Sequence, residues 1–290
     1  MELRHLRYFI AVAEELHFTR AAERLHIGQP PLSHAIQVLE ADVGALLLAR
    51  TKRSVRLTEA GRLFLLAEQA QETARRAERG EAGELRIGFT YSTPLTPLFA
   101  AAINHYRAAY PQVTLTLHEL ATLRQLEGLA QRTLDLGFIR PPDLAVPDNI
   151  ALTALREDPL VAVLPAGHRL ATRRAVAIED LAGEAFVMYP SNAGTGIYPQ
   201  ILHLCRAAGF VPHIAQTAGE ASTIIGLIAA GCGVTLLPSS FNRIHMDGVV
   251  YRHVSDADAS TTLMLAWRAH EDAPLVEAFI KIASEAARGA

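Results

Sequence analysis

Phe18-Thr19-Arg20-Ala21-Ala22-Glu23-Arg24-Leu25-His26-Ile27-Gly28-Gln29-Pro30-Pro31-Leu32-Ser33-His34-Ala35-Ile36 is the stretch of this 290-residue chain that decides its fold. Thr19 is placed to cap a short helix running to Leu25, with Phe18 just outside it packing back on the entry. Ala21 and Ala22 are small, as two closely crossing helices require. Gly28 interrupts the apolar pattern. Pro30 and Pro31 then fit only the first turn of a new helix, where a missing N–H costs nothing. Leu32, Ile36, Leu39 and Val43 follow at steps of four, three and four and give that helix a buried face. Its opposite face offers Gln29, Ser33, His34 and Gln37, short or planar groups suited to base edges and phosphate oxygens. Upstream, Leu3, Leu6, Ile10 and Ala13 mark the buried stripe of a preceding helix. Downstream, Thr51 to Leu57 can form a two-stranded wing that carries Arg53 against backbone or minor groove. Polar residues gathered at the start of the second helix of such a motif are the layout of a winged helix-turn-helix entering the major groove of DNA.

The formal charge of −3 does not display a nucleic-acid binder, because an average hides a local surface. Arg50, Lys52, Arg53 and Arg56 lie together with no acid among them, and the reading is phosphate contact. The N-terminus carries Glu2, Arg4 and Arg7 in place of an apolar leader, and no apolar run approaches the ~18 residues of a membrane span, so the expected location is the cytoplasm. Cys205 and Cys232 are too few for a disulfide framework. No nucleotide fingerprint, Gly-x-Ser-x-Gly elbow or metal-ligand spacing is present, His203 and Cys205 being a weak pair. No enzyme activity, metal or cofactor is therefore expected.

Thr58 can cap a further helix, with Glu59 favourable in its first turn. Leu63, Leu66, Ala70, Ala74 and Ala77 make a narrow stripe between flanks bearing Arg62, Glu68, Gln69, Glu72, Arg75 and Arg76, which suits a two-helix seam. Arg79 to Glu84 reads as a polar hinge. From Leu85 onward short apolar strands (Leu85–Phe89, Val113–Glu119, Leu134–Ile139) alternate with helices (Leu95–Tyr110, Thr122–Gln131). A second set follows: Leu160–Leu164, Phe186–Tyr189, helices at Ile201–Ala208 and Ala221–Ala230, Val234–Leu237, Val249–His253, Thr262–Trp267 and a last helix from Pro274 to about Ala287. Such alternation argues for a sheet with helical crossovers, in two halves with ligand in the cleft between them. The whole is an α+β multidomain chain: a DNA reader at 1–58, a linker helix and hinge at 59–84, and an α/β domain at 85–290.

Leu6-Arg7-Tyr8-Phe9, Ala21-Ala22, Gln29-Pro30-Pro31-Leu32-Ser33, Ile36, Leu39-Glu40, Gly44, Arg50-Thr51 and Leu57-Thr58-Glu59-Ala60-Gly61 resemble the DNA-binding domain of the LysR-type transcriptional regulators. Gly28 stands where a serine or alanine is usual, and Leu48 where phenylalanine is common. The regulatory half resembles the same family through Arg86-Ile87-Gly88-Phe89, Leu134-Asp135-Leu136-Gly137-Phe138 and Gly226 to Gly231 with Leu237-Pro238. The resemblance implies a fold like the periplasmic binding proteins, with subdomain I at about 85–158 plus 266–290 and subdomain II at about 159–265. Glu119-Leu120-Ala121-Thr122, Gly137-Phe138-Ile139-Arg140 and Tyr189-Pro190-Ser191 look most like the regulators answering to benzoate, muconate or chlorinated analogues.

By that likeness Ser92, Thr122 and Arg140 match effector-contacting positions, and Thr195, Gly196 and Ile197 match the facing loop. Ser92 and Thr93, after the first strand, can hold a carboxylate at a helix start, and Arg140 offers a fixed charge on a planar fork. Arg140 also reads as an ion-pair partner across the cleft, and Ser92 and Thr122 as plain helix caps. Ile197 stands in a loop whose close relatives carry an aromatic residue; it can line an apolar pocket without stacking as a ring does. The resemblance further implies a homotetramer, a dimer of dimers, on promoter DNA, with RNA polymerase as partner and a small anionic effector, an aromatic-derived carboxylate. The alternative it leaves is a redox switch through Cys205 and Cys232.

Overall fold

The computed structural model describes residues 3–50, 54–78, 80–141 and 145–289. The chain forms two units, Met1–Glu78 and Arg79–Ala290.

In the first unit, α1 (Leu3–Glu15) buries Leu6, Phe9, Val12 and Ala13. Phe9 and Val12 replace Ile10 in the expected stripe because α1 is packed by two further helices. The second helix, α2, is Phe18–Arg24, and its cap is His17, whose Nδ1 accepts from the Arg20 backbone N–H at 3.4 Å. Thr19 is thus inside the helix and exposed, while Phe18 is buried with Ala21 and Ala22. The turn is made by His26, at φ 54°, with the Ile27 N–H returning to the Ala22 carbonyl at 3.0 Å. That is a left-handed helix stop of the kind glycine usually supplies. Gly28 is instead the extended cap of α3 (Gln29–Val43), with φ −73°. Pro30 and Pro31 occupy the first turn of α3, and Leu32, Ile36 and Leu39 are fully buried.

Strands β1 (Leu48–Arg50) and β2 (Val55–Leu57) pair antiparallel, Leu48 opposite Leu57. Thr58 then starts α4 (Glu59–Glu78), its hydroxyl accepting from the Gly61 N–H at 2.9 Å. A Cβ on Gly61 would lie 2.0 Å from the Leu47 carbonyl oxygen, so only glycine lets α4 rest on the root of β1. The Phe64 ring meets Phe9 edge to face at 5.6 Å. Leu63 and Leu66, by contrast, are each 60 % exposed.

In the second unit the order is β3 (Gly83–Phe89), α5 (Pro97–Ala109), β4 (Val113–Glu119), α6 (Thr122–Ala130), β5 (Leu136–Ile139), β6 (Ile150–Pro165), β7 (Ala175–Val176) and β8 (Ala185–Met188). It continues with α7 (Ile197–Ala207), β9 (His213–Thr217), α8 (Ala221–Ala229), β10 (Thr235–Pro238), β11 (Val249–Val254), β12 (Ser260–Arg268) and α9 (Pro274–Arg288). β3 begins at Gly83, within the expected hinge, pairing there with Val113 of β4. Two prolines, Pro94 and Pro97, split the expected helix from Leu95: a single 3-10 turn precedes α5, which Thr96 caps.

The sheet runs β4-β3-β5-β12-β6-β11-β7, with β10 also on β6 and β8-β9 a separate pair. The long strand β6 joins the two halves. Its first part pairs with β12, from Ile150 opposite Arg268 to Pro159 opposite Ser260, and its last residues pair with β10 and β11. One hydrophobic core gathers Leu85, Leu98, Tyr106, Phe138, Leu265 and Phe279; others, beyond Pro159, gather Leu160, Phe186, Ile201 and Leu236, and Val163, Ile224 and Leu237. Each buried Leu or Phe contributes about 1.5–3 kcal/mol to its own core. β6 and β12 are therefore the two strands crossing between lobes with separate interiors.

Candidate functional site

The third helix of the first unit presents one polar edge. Gln29, Pro30, Pro31, His34 and Gln37 are exposed and Ser33 half-buried, opposite the buried Leu32, Ile36 and Leu39. None of Gln29, Ser33, His34 or Gln37 hydrogen-bonds through its side chain to another described residue, which leaves these groups available to a partner. The basic stretch divides. Arg50 donates to Glu40 Oε2 at 2.9 Å and stacks over the Phe18 ring at 4.9 Å, so its charge serves the fold rather than phosphate. Arg56 is exposed on β2. Arg53, with Thr51 and Lys52, lies outside the described residues. Glu40 itself is buried, and its Oε1 accepts from the backbone N–H groups of Leu47 and Leu48, each at 2.9 Å. That clamp ties the reading helix to the root of the wing.

In the second unit, Ser92, Thr122, Arg140, Thr195, Gly196 and Ile197 line one cavity, of about 420 Å³ including its mouth. The first three come from strand ends and a helix start of the first lobe; the other three form the start of α7 in the second. Thr93 is not among them. It is fully buried, sharing a hydrogen bond with the Thr90 hydroxyl at 2.9 Å. Thr122 is the first residue of α6 and not its cap, which is Ala121. The Thr122 hydroxyl instead donates to the Arg140 carbonyl and accepts from its N–H, both at 3.2 Å, and so fixes the Arg140 backbone.

Arg140 is 6 % exposed and Asp158, on the crossing strand β6, 1 %. The guanidinium donates to Asp158 Oδ2 at 2.8 Å, to Ser92 Oγ at 2.9 Å and to the Thr261 carbonyl of β12 at 3.4 Å. Asp158 Oδ1 accepts from the Ser239 hydroxyl. Burial holds the Arg140 guanidinium below its ordinary value, and the Asp158 carboxylate works against that. Of the two roles open to Arg140 from sequence, the ion pair is therefore present.

The second lobe contributes a helix start without a side-chain cap, at Gly196, and a buried Thr195 hydroxyl with no hydrogen-bond partner. The rest of the wall is largely apolar, with Ile197, Leu237, Phe241 and the buried Tyr189. Burial raises the Tyr189 hydroxyl above its ordinary value, and Tyr91, Glu119 and Glu220 add to this. The lobes meet beside the cavity: the Leu123 N–H of α6 donates to the Gly194 carbonyl at 3.1 Å, and Gly194 takes φ +71° to present it. One turn into α7, the Gln200 side chain donates to the Ser260 carbonyl, where β12 begins.

Sequence reasoning missed Tyr91, Tyr189, Phe241 and Asp158. Leu237-Pro238 was a visible strand-end signal, and Phe241 lies just beyond it in a 3-10 turn. Asp158 carried no signal, being one acid in the run Arg156-Glu157-Asp158. Of the cysteines, Cys205 is buried in one core of the second lobe, and burial pushes its thiol up to about 11. Cys232 packs against a different core.

Comparison with known proteins places both units. The description "Bacterial regulatory helix-turn-helix protein, lysR family" matches residues 3–62, and "LysR substrate binding domain" matches 78–288. The chain is 45 % identical over 288 residues to the uncharacterised HTH-type transcriptional regulator YnfL of Escherichia coli K12, covering 96 % of each. It is 40 % identical over 296 residues to the HTH-type transcriptional regulator CatR of Pseudomonas putida, covering 99 % of this chain and all of that one. Among solved structures, full-length CbnR complexed with its target DNA superposes with a TM-score of 0.67 at 26 % identity, over 99 % of this chain and 100 % of that one. With a polar-edged reading helix in one unit and a two-lobed cavity in the other, the chain belongs to the LysR family of DNA-binding transcriptional regulators.

Proposed function

We propose that this regulator answers to a small carboxylate held between the lobes of its second unit. The observation that carries the reading is the cavity itself, where hydroxyls of the first lobe face an uncapped helix start and the unpartnered Thr195 hydroxyl of the second. Backbone N–H groups at a helix start favour an anion, and the Ile197, Leu237 and Phe241 wall suits an apolar body such as an aromatic ring. Closing on the ligand would shift the lobes about β6 and β12 and so change how the readers sit on promoter DNA. Gln29, Pro30, Pro31, Ser33, His34 and Gln37 would meet base edges and phosphates in the major groove, Thr19 the backbone and Arg53 the wing contact.

The exposed Leu63 and Leu66 support pairing of subunits through α4, within a homotetramer that works with RNA polymerase at a promoter. The domain limits proposed are 1–58, 59–84 and 85–290, with lobes parting near Asp158. A disulfide switch is opposed by the burial and raised thiol of Cys205.

The test is a thermal-shift series on the full-length protein with benzoate, muconate and smaller carboxylates, followed by promoter-fragment binding with the best of them. A ligand present at a hundred times its Kd adds about 2.7 kcal/mol of stability. If no acid in the series raises Tm or alters DNA binding, the cleft reading is lost.

A further inference from the structure

We infer that Asp158 sets the charge of the effector: the cleft takes a monocarboxylate and rejects a dicarboxylate. This rests on the cleft reading above and adds the number of charges to it. Among the described residues Arg140 is the one cation lining the cavity. Its charge is already spent, because Asp158 lies 2.8 Å behind it and both are almost wholly buried. The pair is neutral as a unit, and the Ser92 and Ser239 hydroxyls with the Thr261 carbonyl hold it in that geometry.

An entering ligand therefore meets no uncompensated positive side chain. What remains for an anion is one place: the uncapped start of α7 with the Thr195 hydroxyl. A single carboxylate can be satisfied there by partial charges and hydrogen bonds. A second carboxylate would have to sit against the neutral Arg140–Asp158 side or the apolar Phe241 wall, which leaves a buried charge without a partner.

The nearby titratable groups point the same way. Glu119 and Glu220 line the adjoining cavity, which shares Tyr91 and Phe241 with the first, and both act on Tyr189 in the cleft wall. Arg156, the other cation felt by Arg140, is absent from the wall and half-exposed, so solvent screens it.

The experiment uses isosteric pairs that differ by one charge, succinamate with succinate and terephthalamate with terephthalate, beside acetate and benzoate. Kd is measured by calorimetry on the full-length protein and its Asp158→Asn variant. The wild type is expected to bind the monoanion of a pair about thirtyfold or more tightly than the dianion, the cost of one unpaired buried charge. Asp158→Asn frees the Arg140 charge, and the preference should shrink or invert; a purely structural role for Asp158 would weaken both members alike and leave their ratio unchanged. Equal or tighter binding of the dianion by the wild type overturns the inference, as does an unchanged ratio in a folded Asp158→Asn protein. Should the variant fail to fold, the wild-type ratio decides alone. Silence from all six acids instead removes the cleft as a small-acid site, and the charge rule with it.

Discussion

Glu40 faces inward from α3 with partners on both oxygens: two backbone N–H groups at the root of the wing and the Arg50 guanidinium. Truncating it leaves buried donors unpaired, so Glu40→Ala should lower stability by about 2–3 kcal/mol, read from urea unfolding. Gly28 behaves in the opposite way. Its φ is −73° and the nearest atom to an added Cβ, Pro31 Cδ, is 3.4 Å away, so a side chain fits there with little adjustment. Gly28→Ser should add a capping hydroxyl and restrict the unfolded chain, raising stability by about 0.5–1 kcal/mol; a loss on thermal unfolding would count against the geometry at this cap. Arg140 is a third case. Arg140→Ala leaves Asp158 as a lone buried carboxylate and should cost about 3–5 kcal/mol in the second unit. A failure of that variant to respond to ligand would then report folding, which is why the charge test is placed on Asp158.

At the scale of the element, α3 and the wing divide the work of holding DNA. Arg53→Ala should weaken binding to all sequences alike and flatten the salt dependence by about one unit, whereas Gln29→Ala should erode discrimination between sites by ~1–3 kcal/mol. Gel-shift titrations over a range of salt separate the two; identical profiles would refute the division. Elements were legible in the sequence where one face was buried. Val113 to Glu119 alternates because one side of β4 packs on the lobe interior, and it forms as read. The proline start and apolar stripe of α3 were equally plain. The first half of β6 was not, since Ile150 to Asp158 is mostly half-exposed and intersperses polar residues without a clean period. The exposed strand β9 left no mark for the same reason. Of the cavity, the first-lobe positions and the α7 loop were visible as motifs. The Asp158 partner of Arg140 was not, because 18 residues of irregular chain and strand separate two groups that only the crossing strand brings together.

For the whole molecule, assembly should depend on the bare apolar edge of α4. Leu63→Glu with Leu66→Glu places charge at a helix pairing seam, and light scattering should then report a smaller species with weaker promoter binding. An unchanged mass would move the seam elsewhere. The contact between Leu123 and Gly194 bears on timing. It joins peptide to peptide, so drift in the Leu123 side chain leaves it standing, while Gly194→Ala imposes a Cβ on a φ of +71° and 3.1 Å from Leu123 Cβ. Stopped-flow release of a bound acid should quicken in that variant with little change in the wall chemistry; an unaltered off-rate would show the contact to be no gate. A molecule that has entered must part those two peptides to escape, and the gene's response accordingly persists for a while after the stimulus has been withdrawn.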